Sequence, residues 1–173
     1  MKKLNRWILG LFIVIIGLAS YLVVEANGSS GQFISMSHSG VQHDLFEEHE
    51  EIYLGKWLKW TGEDSPVIKN VNIYTDDGQL LTENHPEIRI NTYVDESLTT
   101  GVIYNKADHM QLISKYKKAE NYQLKSNDIM LVFEIDLLNP TYQFNLDQFE
   151  IEFELNGRLK KQQLIMKNFI FHQ

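Results

Sequence analysis

Hydrophobic positions follow two different rhythms along the 173-residue chain. Residues 7–24 form one uncharged and almost wholly apolar run, apolar on every side of a helix and without a stripe that could face water. Past Ile52, short stretches alternate apolar and polar residues between turn-forming residues, which is how an antiparallel sheet with one wet face is encoded. Val67, Val71 and Ile73 share a parity and precede Asp76-Asp77-Gly78, a turn that predicts a hairpin with Leu80 and Leu81. Ile88, Ile90 and Val94 alternate with Arg89 and Asn91 in a further strand, and Thr99-Thr100-Gly101 breaks the chain before Val102, Ile103 and Tyr104. Residues 129–138 are more continuously apolar, predicting a central strand that Asn139-Pro140 ends.

The strongest alternation is near the C-terminus, where Phe149, Ile151, Phe153 and Leu155 interleave with Glu150, Glu152 and Glu154 ahead of Asn156-Gly157. Asn-Gly adopts the positive φ angles of a type I′ turn, so a β-hairpin is predicted. A strict two-residue loop sets Phe153 opposite Lys160. A slightly longer one sets Ile151 opposite Leu164 and Phe149 opposite Met166, and burial favours the longer loop. The glutamates then face water, with Lys160, Lys161 and Lys167 available to offset their repulsion. Between the strands, residues 108–119 predict one short helix, capped by Asp108 with Gln111 reaching back, and with Leu112, Tyr116 and Ala119 on one stripe. About seven strands in roughly 120 residues, without the repeated helices of a parallel α/β fold, predict a mainly β chain folded as an antiparallel immunoglobulin-like β-sandwich.

The apolar run is preceded by Lys2, Lys3 and Arg6 and followed by Glu25. Eighteen helical residues span about 27 Å, close to the ~30 Å of bilayer hydrocarbon and longer than the apolar core of a cleaved signal. A retained transmembrane anchor over residues 7–24 is therefore expected, with cleavage after Ala26 as the alternative. The basic residues 1–6 stay in the cytoplasm by the positive-inside tendency, which places the rest of the chain outside the cell membrane. Three of the sixteen basic residues precede the run and one of the twenty-three acids closes it, leaving the remainder at about −9. Such a charge opposes binding to nucleic acid. The absence of cysteine excludes disulfides, thiolate metal sites and cysteine nucleophiles.

Residues 27–40 are rich in Gly and Ser and read as a flexible spacer with a reach of about 20 Å. Together with the acidic lead-in they make a linker over residues 25–51, and the extracytoplasmic domain is expected over 52–173. In that lead-in, His43 and His49 lie among Asp44, Glu47, Glu48, Glu50 and Glu51, but six residues apart they fall on opposite helix faces and do not form a metal pair. A solvated acidic stretch of one or two helical turns is the expectation.

Candidate chemistry is sparse. Tyr53, Trp57 and Trp60 concentrate aromatic rings. As a strand, Ile52, Leu54, Leu58 and Trp60 point one way, with Tyr53 and Trp57 the other; as a helix, Tyr53, Trp57 and Trp60 fall together. Core packing is the ordinary use of such rings, and a platform for a sugar or a partner protein is the functional alternative. Glu150, Glu152 and Glu154 repeat at ~6.8 Å, a separation some inverting glycosidases use, yet nothing in the pattern sets their acidities apart. His85, His109 and His172 belong to no catalytic motif. Lys115, Lys117 and Lys118, beside Tyr116 and Tyr122, read as a hydrated helix face. No catalytic, cofactor or metal residue is therefore assigned, and no cofactor is expected.

The layout of basic N-terminus, apolar span, Ser/Gly tether and small β domain resembles that of many exported proteins of Gram-positive bacteria. The expectation that follows is a membrane-anchored, non-catalytic module that binds an envelope protein or a wall glycan. The alternative is a small extracytoplasmic hydrolase using carboxylates, with or without a divalent cation.

Overall fold

The computed structural model describes residues 31–38, 40–49, 51–75, 77–139, 141–142, 146–166 and 170–171. The expected anchor over 7–24 lies outside them. Among the described residues no helix is long and apolar enough to cross a membrane.

The chain is mainly β, built from antiparallel sheets. In order, the elements are β1 (Phe33–Ser35), β2 (Val41–Gln42), α1 (Leu45–Glu48), β3 (Glu51–Trp60), β4 (Val67–Thr75), β5 (Ile88–Asp95), β6 (Val102–Ile103), a 3-10 turn (Ala107–His109), α2 (Met110–Ile113), β7 (Lys117–Lys118), β8 (Tyr122–Gln123), β9 (Asp128–Leu137), β10 (Leu146–Leu155), β11 (Arg158–Ile165) and β12 (Ile170–Phe171). One sheet runs β1-β3-β9-β5-β7, with β6 also paired to β3. A second runs β11-β10-β4-β8. A small third sheet joins β12 to β2 in parallel.

The two large sheets share one core, because alternation turns Leu54, Leu58, Leu131 and Phe133 of the first toward Ile68, Phe149, Ile151 and Phe153 of the second. Phe133 and Phe149 meet edge to face across it, 5.6 Å apart. β9 lies between β3 and β5, as its continuous apolar run implied. A second, smaller cluster lies on the opposite face of the first sheet, where Tyr53, Ile103, Met130 and Val132 pack with Tyr93, Leu112, Ile113 and Tyr116. The segment through α2 covers an otherwise wet sheet face.

Several expectations are corrected. Residues 33–35 fall in the expected spacer, yet they pair with β3 in register Phe33↔Trp60. Phe33 is buried against Trp60 and Phe153, 4.9 and 5.5 Å away, so one aromatic side chain outweighs its Gly/Ser surroundings. In the lead-in, Phe46 of α1 is buried as well. The C-terminal hairpin takes the strict two-residue loop, with Phe153 opposite Lys160 and Phe149 opposite Leu164. Asn156 and Gly157 sit at φ 53° and 72°, and this turn geometry decides the register because β11 is an edge strand with little apolar burial to lose.

The helix expected over 108–119 stops at Ile113, and Lys117 and Lys118 are drawn into pairing with β5 instead. Asp108 makes no cap there. The turn at Gly78 forms, with φ 79°, but its return is a single bridge between Tyr74 and Leu80 before the chain crosses to the first sheet as β5.

Candidate functional site

β3 is a strand, and alternation separates its aromatic rings. Trp60 is 1% exposed in the core, while Trp57 is 38% exposed on the other face. The Trp57 indole donates to Asp128 at 3.1 Å, and its backbone carbonyl accepts from Met36 at 2.9 Å. Tyr53 shares the Trp57 face but is buried beneath the α2 segment. The three rings therefore make no common platform.

Above Tyr53 the pairing register assembles a polar cluster from three strands. Tyr53 and Asn91 flank Glu134, and Glu51 and Arg89 flank Asp136. The Tyr53 hydroxyl donates to Glu134 at 2.7 Å and also to Glu51. The other Glu134 oxygen accepts from Asn91 at 2.8 Å and from Tyr93 at 3.0 Å. Lys106 reaches both Glu51 oxygens at 2.9 Å, and Arg89 pairs with Asp136.

Burial pushes Glu51 up, together with its hydrogen bond to Glu134, against the lowering pull of Tyr53 and Lys106. Burial would raise Glu134 too, but hydrogen bonds from Glu51, Tyr53, Asn91 and Tyr93 hold it down at about 2. Burial and the adjoining carboxylates raise Tyr53, and burial with Glu134 pushes Tyr93 up to about 12. Two carboxylates near enough to share a hydrogen bond leave no room for a sugar ring or an attacking water, since glycosidases keep theirs ~5 to 9.5 Å apart. The cluster ties β3, β9, β5 and the Lys106 loop together. Nothing in the alternation pattern marks it, because its members come from four separate stretches of sequence.

Below this cluster, Asp95 organises the following loop. Its carboxylate accepts from the Ser97, Thr99 and Thr100 amides at 2.8, 3.0 and 3.0 Å, and from the Ser97 and Thr100 hydroxyls. Burial pushes Asp95 up, but these donors win and hold it below the usual carboxylate range.

The glutamates of β10 project from the second sheet as a braced row. Lys161 bridges Glu150 and Glu152, Asn72 donates to both, and Lys69 pairs with Glu154 at 3.0 Å. Glu150 is buried, contrary to the wet position expected for it. Lys167 lies outside the described residues. His43 is buried and bonds the Tyr142 carbonyl at 2.9 Å, while His49 lies against the Tyr104 ring. His85 stacks near Tyr142 and His109 precedes α2; His172 lies outside the described residues. Among those described, no group of three or more histidine, aspartate or glutamate side chains is placed to hold a metal ion. Lys115, Lys117 and Lys118 are exposed.

The concave feature of interest is a cleft of about 340 Å³ where β4 of one sheet and β5 of the other leave a side open. Asn70, Asn72, Asn91, Thr92 and Tyr93 line it with polar groups, and Ile73, Leu81 and Ile90 supply an apolar floor. The opposite side is closed: the Gln162 carboxamide on β11 both accepts from the Phe33 amide and donates to its carbonyl, each at 2.7 Å, standing in for a paired strand. Compared with protein-family models, with curated proteins and with solved structures, the chain matches none.

Proposed function

We propose that the chain is a membrane-anchored, extracytoplasmic immunoglobulin-like β-sandwich that binds an envelope protein or a wall glycan and performs no chemistry on it. The cleft between β4 and β5 carries this reading. A concave site with an apolar floor and a few amide and hydroxyl groups suits recognition of a polar chain. The sandwich assignment draws support from the two antiparallel sheets and their shared core. The anchor rests on the uncharged run over residues 7–24 and the basic residues before it.

Against the hydrolase alternative, the carboxylates of the first sheet are locked to one another and those of the second are braced by Lys161 and Lys69, while the two that line the cleft, Glu83 and Glu120, are both exposed, with no burial to set one acidity apart from the other. The test is a photo-crosslinking residue placed in the full-length chain at Glu83, on the cleft, or at Lys59, exposed on β3. Binding at the cleft predicts an envelope adduct from position 83 alone, which protease or glycan hydrolase digestion then assigns. Equal adducts from both positions, or none from 83, contradict the proposal.

A further inference from the structure

The open side of the molecule is a strand edge with unused backbone hydrogen bonds. The Leu138 amide donates to the Glu87 carbonyl, so in the β5 register the odd-numbered residues turn their peptide groups toward β9. The even-numbered ones turn theirs away, as the Ala119 amide donating to the Thr92 carbonyl at 3.1 Å bears out. β7 pairs with β5 only at Tyr93 and Val94. Among the described residues, nothing pairs with the Ile90 amide or carbonyl on that edge, and the residue lines the cleft.

The facing edge of β4 is treated differently. There the Val71 amide is taken by the Asn70 side chain at 2.9 Å, and the Ile73 carbonyl accepts from Leu81 at 2.8 Å. On β4 one donor and one acceptor facing the cleft are already taken, whereas at Ile90 neither is. A long edge strand left unpaired is a template for another chain, and folded proteins ordinarily blunt it.

We infer that the cleft takes an extended polypeptide segment of the partner, which pairs with the β5 edge at Ile90 as an added strand in line with β7. This rests on the binding reading above and narrows its ligand to a protein. An oxygen-rich glycan can satisfy the side-chain amides, but only a peptide repeats a donor and an acceptor at the spacing of the strand edge. There is room for about four residues before β7 takes over the edge. Alternation assigns their chemistry: the residue turned inward, toward Ile73 and Leu81, is apolar, and its neighbours beside Arg89 and Asn91 are polar.

The probe is a displayed library of eight-residue peptides alternating Val, Ile, Thr or Phe with any residue, offered to the full-length chain in detergent micelles. Peptides are expected to bind, and Ile90→Pro, which removes the outward amide while leaving the groups turned to β9, is expected to weaken them about tenfold. Ile90→Val should retain them. In the unaltered chain, amide exchange at Ile90 should be faster than at Arg89 and Asn91 and should slow when a peptide is added. This second measurement does not depend on how well the proline variant folds. An Ile90 amide already as protected as its neighbours in the free chain overturns the inference, as does the lack of any peptide whose binding Ile90→Pro weakens and Ile90→Val keeps. A glycan adduct at position 83 that persists in Ile90→Pro leaves the binding reading standing and removes the strand.

Discussion

A methyl group added at Gly55 would lie 2.1 Å from the carbonyl oxygen of Thr100. The loop that Asp95 organises comes this close because the Gly55 amide donates to the Gly101 carbonyl at 2.7 Å. Backbone cannot yield there as the end of a flexible side chain would, so Gly55→Ala should destabilise by about 2 kcal/mol or more, read as a lower urea midpoint. An unchanged midpoint would mean that the loop does not sit on β3.

Lys56, next along β3, is 3% exposed, and its ammonium donates to the Ser37 carbonyl at 2.6 Å. Burial lowers its pKa. A base depressed in the fold contributes less stability as pH falls below its unfolded pKa of about 10.5. Lys56→Met should therefore raise stability near neutral pH by about 1 kcal/mol, with the gain shrinking as pH approaches 10. Melting curves of both proteins across that range check it, and a gain that grows with pH contradicts it.

Tyr93 illustrates the opposite sign. Its folded pKa, raised to about 12, keeps the neutral form in the fold. The associated stability is complete below about 10, where the unfolded side chain titrates, and is lost as pH rises toward 12. Tyr93→Phe should blunt the alkaline loss measured between pH 10 and 12. An identical alkaline limb in both proteins would show that the buried Tyr93 hydroxyl does not govern it.

At the scale of elements, the alternation of residues 88–94 and 149–155 and the continuous apolar run of 129–138 suffice to place β5, β10 and β9, because each buries one face or both against a shared core. β1 was not legible. It has three residues in a Gly/Ser context, and its place follows from Phe33 meeting Trp60 and from Gln162 completing its hydrogen bonds. The short α2 was overestimated, because the stripe of Leu112, Tyr116 and Ala119 serves two cores. Leu112 and Tyr116 pack over Tyr53, whereas Ala119 enters the main core. The Glu51, Tyr53, Asn91, Glu134 cluster was invisible for a related reason: its members become neighbours only once β3, β9 and β5 are in register. Gln162→Ala isolates one such long-range contact. Losing both bonds to Phe33 should cost about 1 to 3 kcal/mol and speed amide exchange in β1 while β5 is unaffected. Unchanged exchange at Phe33 would remove the carboxamide from its role as a strand substitute.

For the whole molecule, the proposal joins two features that lie far apart in sequence, the uncharged run over residues 7–24 and the open edge of β5. With no cysteine to form a disulfide, the acidic remainder depends on its core, here one shared by two sheets. The location of that body decides which partners it can meet, so the most direct measurement is of topology. A full-length chain carrying a C-terminal epitope is expressed in intact bacterial cells with the wall removed, and protease is added outside. If residues 7–24 anchor the chain with its C-terminus outside, the protein sediments with membranes and the epitope is digested while a cytosolic marker survives. A soluble, fully protected epitope in cells with sealed membranes would contradict that topology.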